Sequence, residues 1–384
     1  MAALNPDDRE GELQALLTLA LVPGIGPLRA HRLLEEHGSG RAVLQAAREA
    51  GGEKGRLGRL LSPDLRTRVR RVLAAAQGSG MGILGWGLPD YPPRLTPLAE
   101  APPVLFCRGN PGVLQERAVA ALVGTRTPTP YGREVTEKLA AGLAARGVVV
   151  VSGLARGVDS HAHHAVLEAR GKTVAVLAGG LDRIYPPERK PMAEEILREG
   201  LLLSEMPPGR NPTPGLFPRR NRILSGISDL VVVVEAAERS GALITAQWAL
   251  DQGKEVAAVP GSIFSPVSRG PFLLIRDGAA PVDSVEAIME LLPRLPGKEE
   301  APGRGEESPH AGRRVSLTSL ERSFLQALAR TGGDPEEAAR LAGIPVKEAL
   351  SLGVSLEMKG LARSKGQGLL FPTGDTGEGG ENPA

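Results

Sequence analysis

The chain of 384 residues has one cysteine, Cys107. A single thiol excludes an internal disulfide, so the fold has to rest on its own core, and such cysteine usage fits a reducing compartment. Aromatic residues make up only 3% of the sequence, with six phenylalanines, so an aromatic among polar neighbours needs a reason. Lysine is scarce too: nine of the 46 basic residues, the rest being arginine. No charge of one sign dominates. A net charge of +2 excludes a global basic field and confines any nucleic-acid site to a local patch. Long apolar runs are missing: the stretch Leu13 to Val22 stops at Pro23 and is too short to cross a bilayer. The acidic beginning, MAALNPDDREGE, is unlike a signal peptide. A soluble, cytoplasmic protein with no membrane partner is expected.

What is present is organised around VVVVSGLARGVDSHAHHAVL, Val148 to Leu167. Four valines run into Ser152-Gly153, Gly157 follows, Asp159 stands where a helix N-cap is expected, and a helical pattern begins. This reads as buried strand, glycine turn and helix. Such a junction gathers backbone N–H groups and the positive end of a helix, which suits an anion; it equally suits a plain tight turn. Similar junctions surround it. Apolar strands are expected at Val119 to Val123, Lys172 to Ala178, Leu201 to Ser204, Leu230 to Glu235 and Glu255 to Val259, with helices at Tyr131 to Arg146, Glu188 to Arg198, Ala242 to Gln252 and Asp283 to Leu292. Alternation of this kind predicts an α/β fold: an extended Rossmann-like parallel sheet with helices on both faces and the ligand site at the carboxyl ends of the strands.

Those ends carry Gly124-Thr125-Arg126, Ser152-Gly153, Gly179-Gly180, Glu235 with Ser240-Gly241 beyond it, and Pro260-Gly261. No Gly-X-Gly-X-X-Gly follows the first strand and no Walker-type Gly-X-X-X-X-Gly-Lys-Ser/Thr occurs, so the edge suits phosphate but not a standard nucleotide cofactor. FPRRNRILSG, Phe217 to Gly226, is the most basic short run, with Arg219, Arg220 and Arg222 beside one of the few phenylalanines. It reads either as a solvated run capping a helix or as a single-strand site; arginine pairs bidentately with phosphate and phenylalanine stacks on bases, which favours the second. His161, His163 and His164 lack the further ligands that a metal needs and are read as structural. Ser152 and Ser240 lack a nucleophile-elbow context. Glu235 serves as well for hydrogen bonding as for general-base work. No catalytic residue, metal or cofactor is expected.

The flanks differ from this centre. Residues 1–77 read as a helical module in which Pro23-Gly24-Ile25-Gly26 is similar to a helix-hairpin-helix turn, with a purely structural hairpin the preferred reading. Residues 78–294 then form the sheet domain, entered through a Gly- and Pro-rich stretch. Residues 295–314 are a flexible linker, 315–372 a winged helix of three short helices and a two-stranded wing, and 373–384 a disordered tail. The third winged helix has Lys347 as its one basic residue, poor for reading a groove.

VGTRTPTPYG, VSGLARGVDSHAHHAVLEARG, LAGGLDRIYP, SEMPPG, FPRRNRILSG, VVVVEAAERSGALITAQWAL and AVPGS, in this order, resemble the DNA-processing protein A (DprA/Smf) family across about residues 104–290. The resemblance implies a non-catalytic single-stranded DNA-binding protein with a SAM-like or helix-hairpin-helix-like N-terminal module. It also implies a homodimer that protects incoming DNA and loads RecA recombinase onto it during natural transformation. By motif the resemblance implies that Arg126 and the run Phe217, Arg219, Arg220, Asn221 and Arg222 line the DNA pocket and that Lys254 is similar to a basic position there. Gly124, Thr125, Ser152, Gly153, Arg156 and Ser240, in the turns at the strand ends, complete the expected DNA-contacting set. Three positions depart from the usual pattern: Thr125 for Ser, Ala178-Gly179 for Gly-Ser, and Arg189 for Asn. The rival from another class is a nucleotide-processing enzyme of the phosphoribohydrolase-like type, whose Pro-Gly-Gly-X-Gly-Thr turn is replaced here by EAAERSGALITA.

Overall fold

The structure is a computed structural model, and it describes residues 6–50 and 57–293, then 319–331, 334–345 and parts of 349–372. Residues 1–297 form one compact unit and residues 298–384 a second.

The chain opens with α1 (Pro6–Leu21), α2 (Pro27–His37), α3 (Gly40–Glu49) and α4 (Pro63–Gly78). Leu16, Leu17 and Leu19 of α1 are fully buried. Each helix end has a local cause. Pro27 takes the first position of α2, where a missing N–H costs nothing. Gly38 ends α2 at φ 81°, a conformation glycine adopts without strain. Ser39 and Ser62 cap α3 and α4 by accepting from Ala42 N and Leu65 N.

The sheet domain follows as β1 (Gly82–Gly85), β2 (Val104–Gly109), β3 (Val119–Val123), α5 (Pro130–Ala145), β4 (Val149–Ser152), α6 (Val158–Glu168), β5 (Thr173–Leu177), α7 (Lys190–Glu199) and β6 (Leu201–Ser204). It continues as α8 (Leu216–Gly226), β7 (Leu230–Val233), α9 (Gly241–Asp251), β8 (Glu255–Ala258), α10 (Arg269–Arg276), β9 (Ala280–Pro281) and α11 (Val285–Leu291). The strands lie in the order β1-β2-β6-β5-β4-β3-β7-β8-β9. From β6 to β9 all pairings are parallel, as the apolar strands predict; β2 pairs antiparallel with both β1 and β6.

Strand alternation sorts the core. Val119, Ala121 and Val123 join Ile223, Leu224 and Ala246 on one face, under α8 and α9. Ala120 and Leu122 join Leu139, Leu143 and Val166 on the other, under α5 and α6. A fully buried leucine such as Leu122 loses about 2–5 kcal/mol on truncation to alanine. Phe106 and Leu202 pack with Leu16, Leu34 and Val69, so the N-terminal helices continue a layer over β2 and β6. The expected boundary near residue 78 is therefore no break in packing. Within the Gly- and Pro-rich entry, β1 pairs Gly82 with Cys107 and Gly85 with Val104. Its glycines are needed for room: a Cβ at 82 would stand 2.9 Å from Cys107 Sγ, and one at 85 would stand 2.7 Å from Leu16 Cδ1.

In the second unit, α12 (Ser319–Arg330), α13 (Pro335–Ala342) and the antiparallel pair β10 (Ala362–Lys365) and β11 (Leu369–Pro372) surround a small core with Phe324, Leu328 and Leu356. The winged-helix expectation also requires a third helix between α13 and this hairpin. Most of its third helix, the linker and the tail lie outside the described residues.

Candidate nucleic-acid interface

From β3 the chain winds outward through β4, β5 and β6, then returns to the other side of β3 as β7. The order reverses between β3 and β7, and such a point opens a crevice at the carboxyl edge of a parallel sheet. A cavity of about 630 Å³ lies there, lined by the β3–α5 turn (Gly124, Thr125, Arg126), Asp159, Tyr185, α8 (Phe217, Arg220, Asn221) and the start of α9 (Ser240, Gly241, Ile244).

Glu235, just after β7, builds the wall. Its backbone carbonyl accepts from Thr125 N at 2.6 Å. Its carboxylate accepts from Thr129 N at 2.9 Å and Thr129 Oγ1 at 2.5 Å. Both ends of the turn that carries Arg126 are thus tied to one buried residue. Gly157 closes on the same turn: at φ 76° its Cβ position would fall on Thr125 O and the Arg126 backbone, and Val158 N donates to Thr125 O at 3.1 Å. Arg126 is left exposed, its guanidinium carbon 5.8 Å from the centroid of the Phe217 ring, a cation–π distance. The Tyr185 ring is also close to that of Phe217, at 6.0 Å between centroids and tilted by 59°. Tyr185 was missed in the sequence; an aromatic in the polar YPPER loop of an aromatic-poor chain was its signal.

The floor is a buried charge arrangement. Asp159 does not cap α6; Gly157 holds the cap position, and the Asp159 carboxylate accepts from Gly153 N at 3.1 Å and Ala155 N at 3.4 Å. The glycine turn expected to hold an external anion already holds an internal one. Burial raises the Asp159 carboxyl, against the lowering effect of Arg220 and these hydrogen bonds. Arg220 is buried, donates through Nη1 to Val176 O, and fills the place a side chain at Gly153 would take. Burial lowers its proton affinity, Asp159 opposes this and Arg126 adds to it. Arg220 Nε has no hydrogen-bond partner among the described residues. His163, beneath, bonds through Nδ1 to Thr173 Oγ1 at 2.8 Å. Thr173 Oγ1 donates to Val150 O, so His163 carries its proton on Nδ1, and burial followed by Arg220 pushes its pKa down to about 3.

The sequence-derived residues therefore separate. Gly124, Thr125, Arg126, Phe217, Arg220, Asn221 and Ser240 come together on one cavity. Ser152 and Gly153 are buried behind it, Ser152 Oγ donating to Leu122 O at 2.7 Å. Arg156 stays exposed and pairs with Glu188. Arg219 forms a two-pronged pair with Glu205, at 3.0 and 2.9 Å. Arg222 is buried, donating to Glu205 at 2.7 Å and Glu100 O at 2.7 Å; it is part of the core, not of a groove. Lys254 precedes β8, near Asp229 and Arg94 at the amino edge of the sheet, across from the cavity. The histidines part company: His161 pairs with Glu137 and His164 with Glu168, and no group of three metal-ligating side chains occurs among the described residues. Glu235, the one candidate base, is consumed by Thr129. Among the described residues no helix is long and apolar enough to cross a membrane.

A family model, DNA recombination-mediator protein A, matches residues 83–293, the span that builds this cavity. The chain belongs to that family. It is 38% identical to a putative DNA processing protein DprA of Mycobacterium tuberculosis, over 90% of this chain and 88% of the relative. It is 41% identical to protein Smf of Escherichia coli, over 70% and 72%. The DprA structure from Streptococcus pneumoniae superposes with a TM-score of 0.58 at 32% identity, covering 72% of this chain and 95% of that one. The DprA of Helicobacter pylori, described for its single-stranded DNA binding mode, superposes at 0.50 with 31% identity, over 54% and 93%. DprA/Smf membership thus agrees with the resemblance seen in the seven motifs.

Proposed function

We propose that this protein binds single-stranded DNA, without sequence preference and without catalysis, in the cavity between β3 and β7. The observation that carries this reading is Arg126 held over Phe217 at the mouth of that cavity. Such a pair offers a guanidinium to a phosphate and a ring face to a base. Charge supports it: Arg126 and Arg220 share the cavity with one carboxylate, Asp159, and Arg220 Nε is an unused donor at the floor. Gly124, Thr125, Asn221 and Ser240 are the polar lining, while Arg156 and Arg219, paired with Glu188 and Glu205, lie outside it. Ser152, Gly153 and Arg222 act by supporting the walls. The Helicobacter relative's single-stranded DNA binding lends the same direction.

The test is fluorescence anisotropy with labelled oligothymidylate across a salt series. Arg126→Ala removes an exposed charge-assisted contact worth about 1.5–3 kcal/mol, so affinity drops about ten- to a hundredfold while the melting temperature holds. Phe217→Ala costs about 1–3 kcal/mol in stacking with a smaller change of salt slope. Unchanged affinity in both variants refutes the reading.

On the family resemblance we extend the proposal to a cytoplasmic homodimer that protects incoming strands and loads RecA recombinase onto them during natural transformation. The full chain should sediment as a dimer and shorten the lag of RecA ATPase on single strands. A monomer refutes the first part and an unchanged lag refutes the second.

A further inference from the structure

The DNA cavity has a neighbour. Helix α8 turns Phe217, Arg220 and Asn221 towards that cavity, while Leu216 and Arg219 of the same helix line a second cleft, of about 280 Å³. The far wall of this cleft is the hairpin turn between α1 and α2, with Ile25, Gly26 and Pro27, and its rim carries Arg68 and Arg210. We propose that this cleft is a second phosphate-binding subsite for the strand held in the first cavity, reached over the N-terminal turn of α8. The proposal rests on the single-stranded DNA reading above.

Charge is the first argument. Three arginines, Arg68, Arg210 and Arg219, line the cleft with one carboxylate, Glu205. Glu205 is already engaged: Oε1 accepts from Arg219 Nη2 at 2.9 Å and from Arg222 Nη2 at 2.7 Å, and Oε2 accepts from Arg219 Nε at 3.0 Å. Arg68 has no ion pair among the described residues, and its Nη1 reaches only Leu21 O, at 3.3 Å. The exposed Arg210 side chain has neither an ion pair nor a hydrogen bond among the described residues. The cleft therefore carries uncompensated positive charge, which an anionic polymer neutralises with release of counterions.

Backbone geometry is the second argument. Gly24 turns the hairpin at φ 86°, and its Cβ position lies 3.4 Å from Arg59 Nη1, so a further guanidinium lies close against the turn. Helix α2 starts there without a side-chain cap. A turn of this sort lets a strand approach the main chain closely while arginines meet its phosphates. Continuity is the third: a strand that leaves Arg126 and Phe217 along α8 meets Arg219, then Arg210 and Arg68, and Glu205, the carboxylate lining the cleft, is already paired.

The experiment compares oligothymidylates of increasing length on the full chain, wild type against Arg68→Ser/Arg210→Ser, with melting temperature measured in parallel. Short strands that fill only the first cavity should bind both proteins equally. For long strands the variant should lose about tenfold to a hundredfold in affinity, and its salt slope should fall by about 1.4, or about 0.7 per lost phosphate contact on a single strand. Arg210→Ser alone, which removes a side chain with no partner among the described residues, should show a smaller loss of the same length dependence and keeps the test readable if the double variant unfolds the hairpin. Unchanged binding of long strands overturns the second subsite and leaves the first standing. Equal losses on short and long strands also overturn it, since the arginines would then act at the first cavity. A wild-type chain that binds no strand of any length overturns both.

Discussion

Arg220→Ala separates support from contact. The side chain is buried, donates to Val176 O, lies against Gly153 and faces the Asp159 carboxylate. Truncation removes one charge-assisted hydrogen bond, about 1.5–3 kcal/mol, and leaves Asp159 in the interior without its cation. Breaking a buried charge arrangement from one side costs about 3–5 kcal/mol in all. At about 2–4 °C per kcal/mol for a unit of this size, the melting temperature should fall by about 6–20 °C. The pH dependence identifies the cause. Burial already raises the Asp159 carboxyl, and loss of Arg220 raises it further. A carboxyl raised above its unfolded value destabilises the fold when ionised, and the penalty is relieved as pH falls through its folded pKa. Differential scanning calorimetry from neutral to acid pH should therefore show the gap between wild type and variant narrowing. Asp159→Asn in the Arg220→Ala background should recover part of the loss at neutral pH. A melting temperature that stays put, or a gap that widens in acid, refutes this account of the floor.

Two further outcomes follow from the same geometry. His163 is neutral in the fold with its pKa near 3, against 6.5 for the free side chain; the unfolded chain binds the extra proton first, so stability should fall by about 1.4 kcal/mol per pH unit below about 6.5, and His163→Gln should flatten that slope in acid denaturation curves. Lys254→Ala should leave oligothymidylate affinity and salt slope at wild-type values, because the side chain stands by Asp229 at the amino edge; a loss like that of Arg126→Ala would put DNA on both edges of the sheet.

Much of the sheet was legible because its strands are apolar on both faces, and runs such as VVVV leave little choice of structure. Helix α8 was not, because its buried residues include Arg220, Asn221 and Arg222, which periodicity scores as exposed. The basic run looked like a surface patch; its middle is interior, satisfied by Val176 O, Glu205 and Glu100 O. The β1 strand was hidden by glycines that are there for packing. Lys254 could have been placed from the sequence alone: a residue before a parallel strand lies at the opposite edge from a residue after one. The Gly-Thr-Arg turn was readable as a site, but its fastening to Glu235 was not, since that contact spans 106 positions.

The carboxylate of Asp159 at the glycine turn also bears on selectivity. In many α/β sheets the turn at the head of a helix is the seat that a free nucleotide's phosphates occupy. Here the protein has filled that seat with its own side chain, bonded to Gly153 N and Ala155 N. Small metabolites, ATP among them, meet an occupied receptor at that turn. On the single-strand reading proposed above, a polymer engaged through Arg126 and the Phe217 ring does not need the seat. One residue thus occupies, from inside the fold, the backbone donors that an outside phosphate would use.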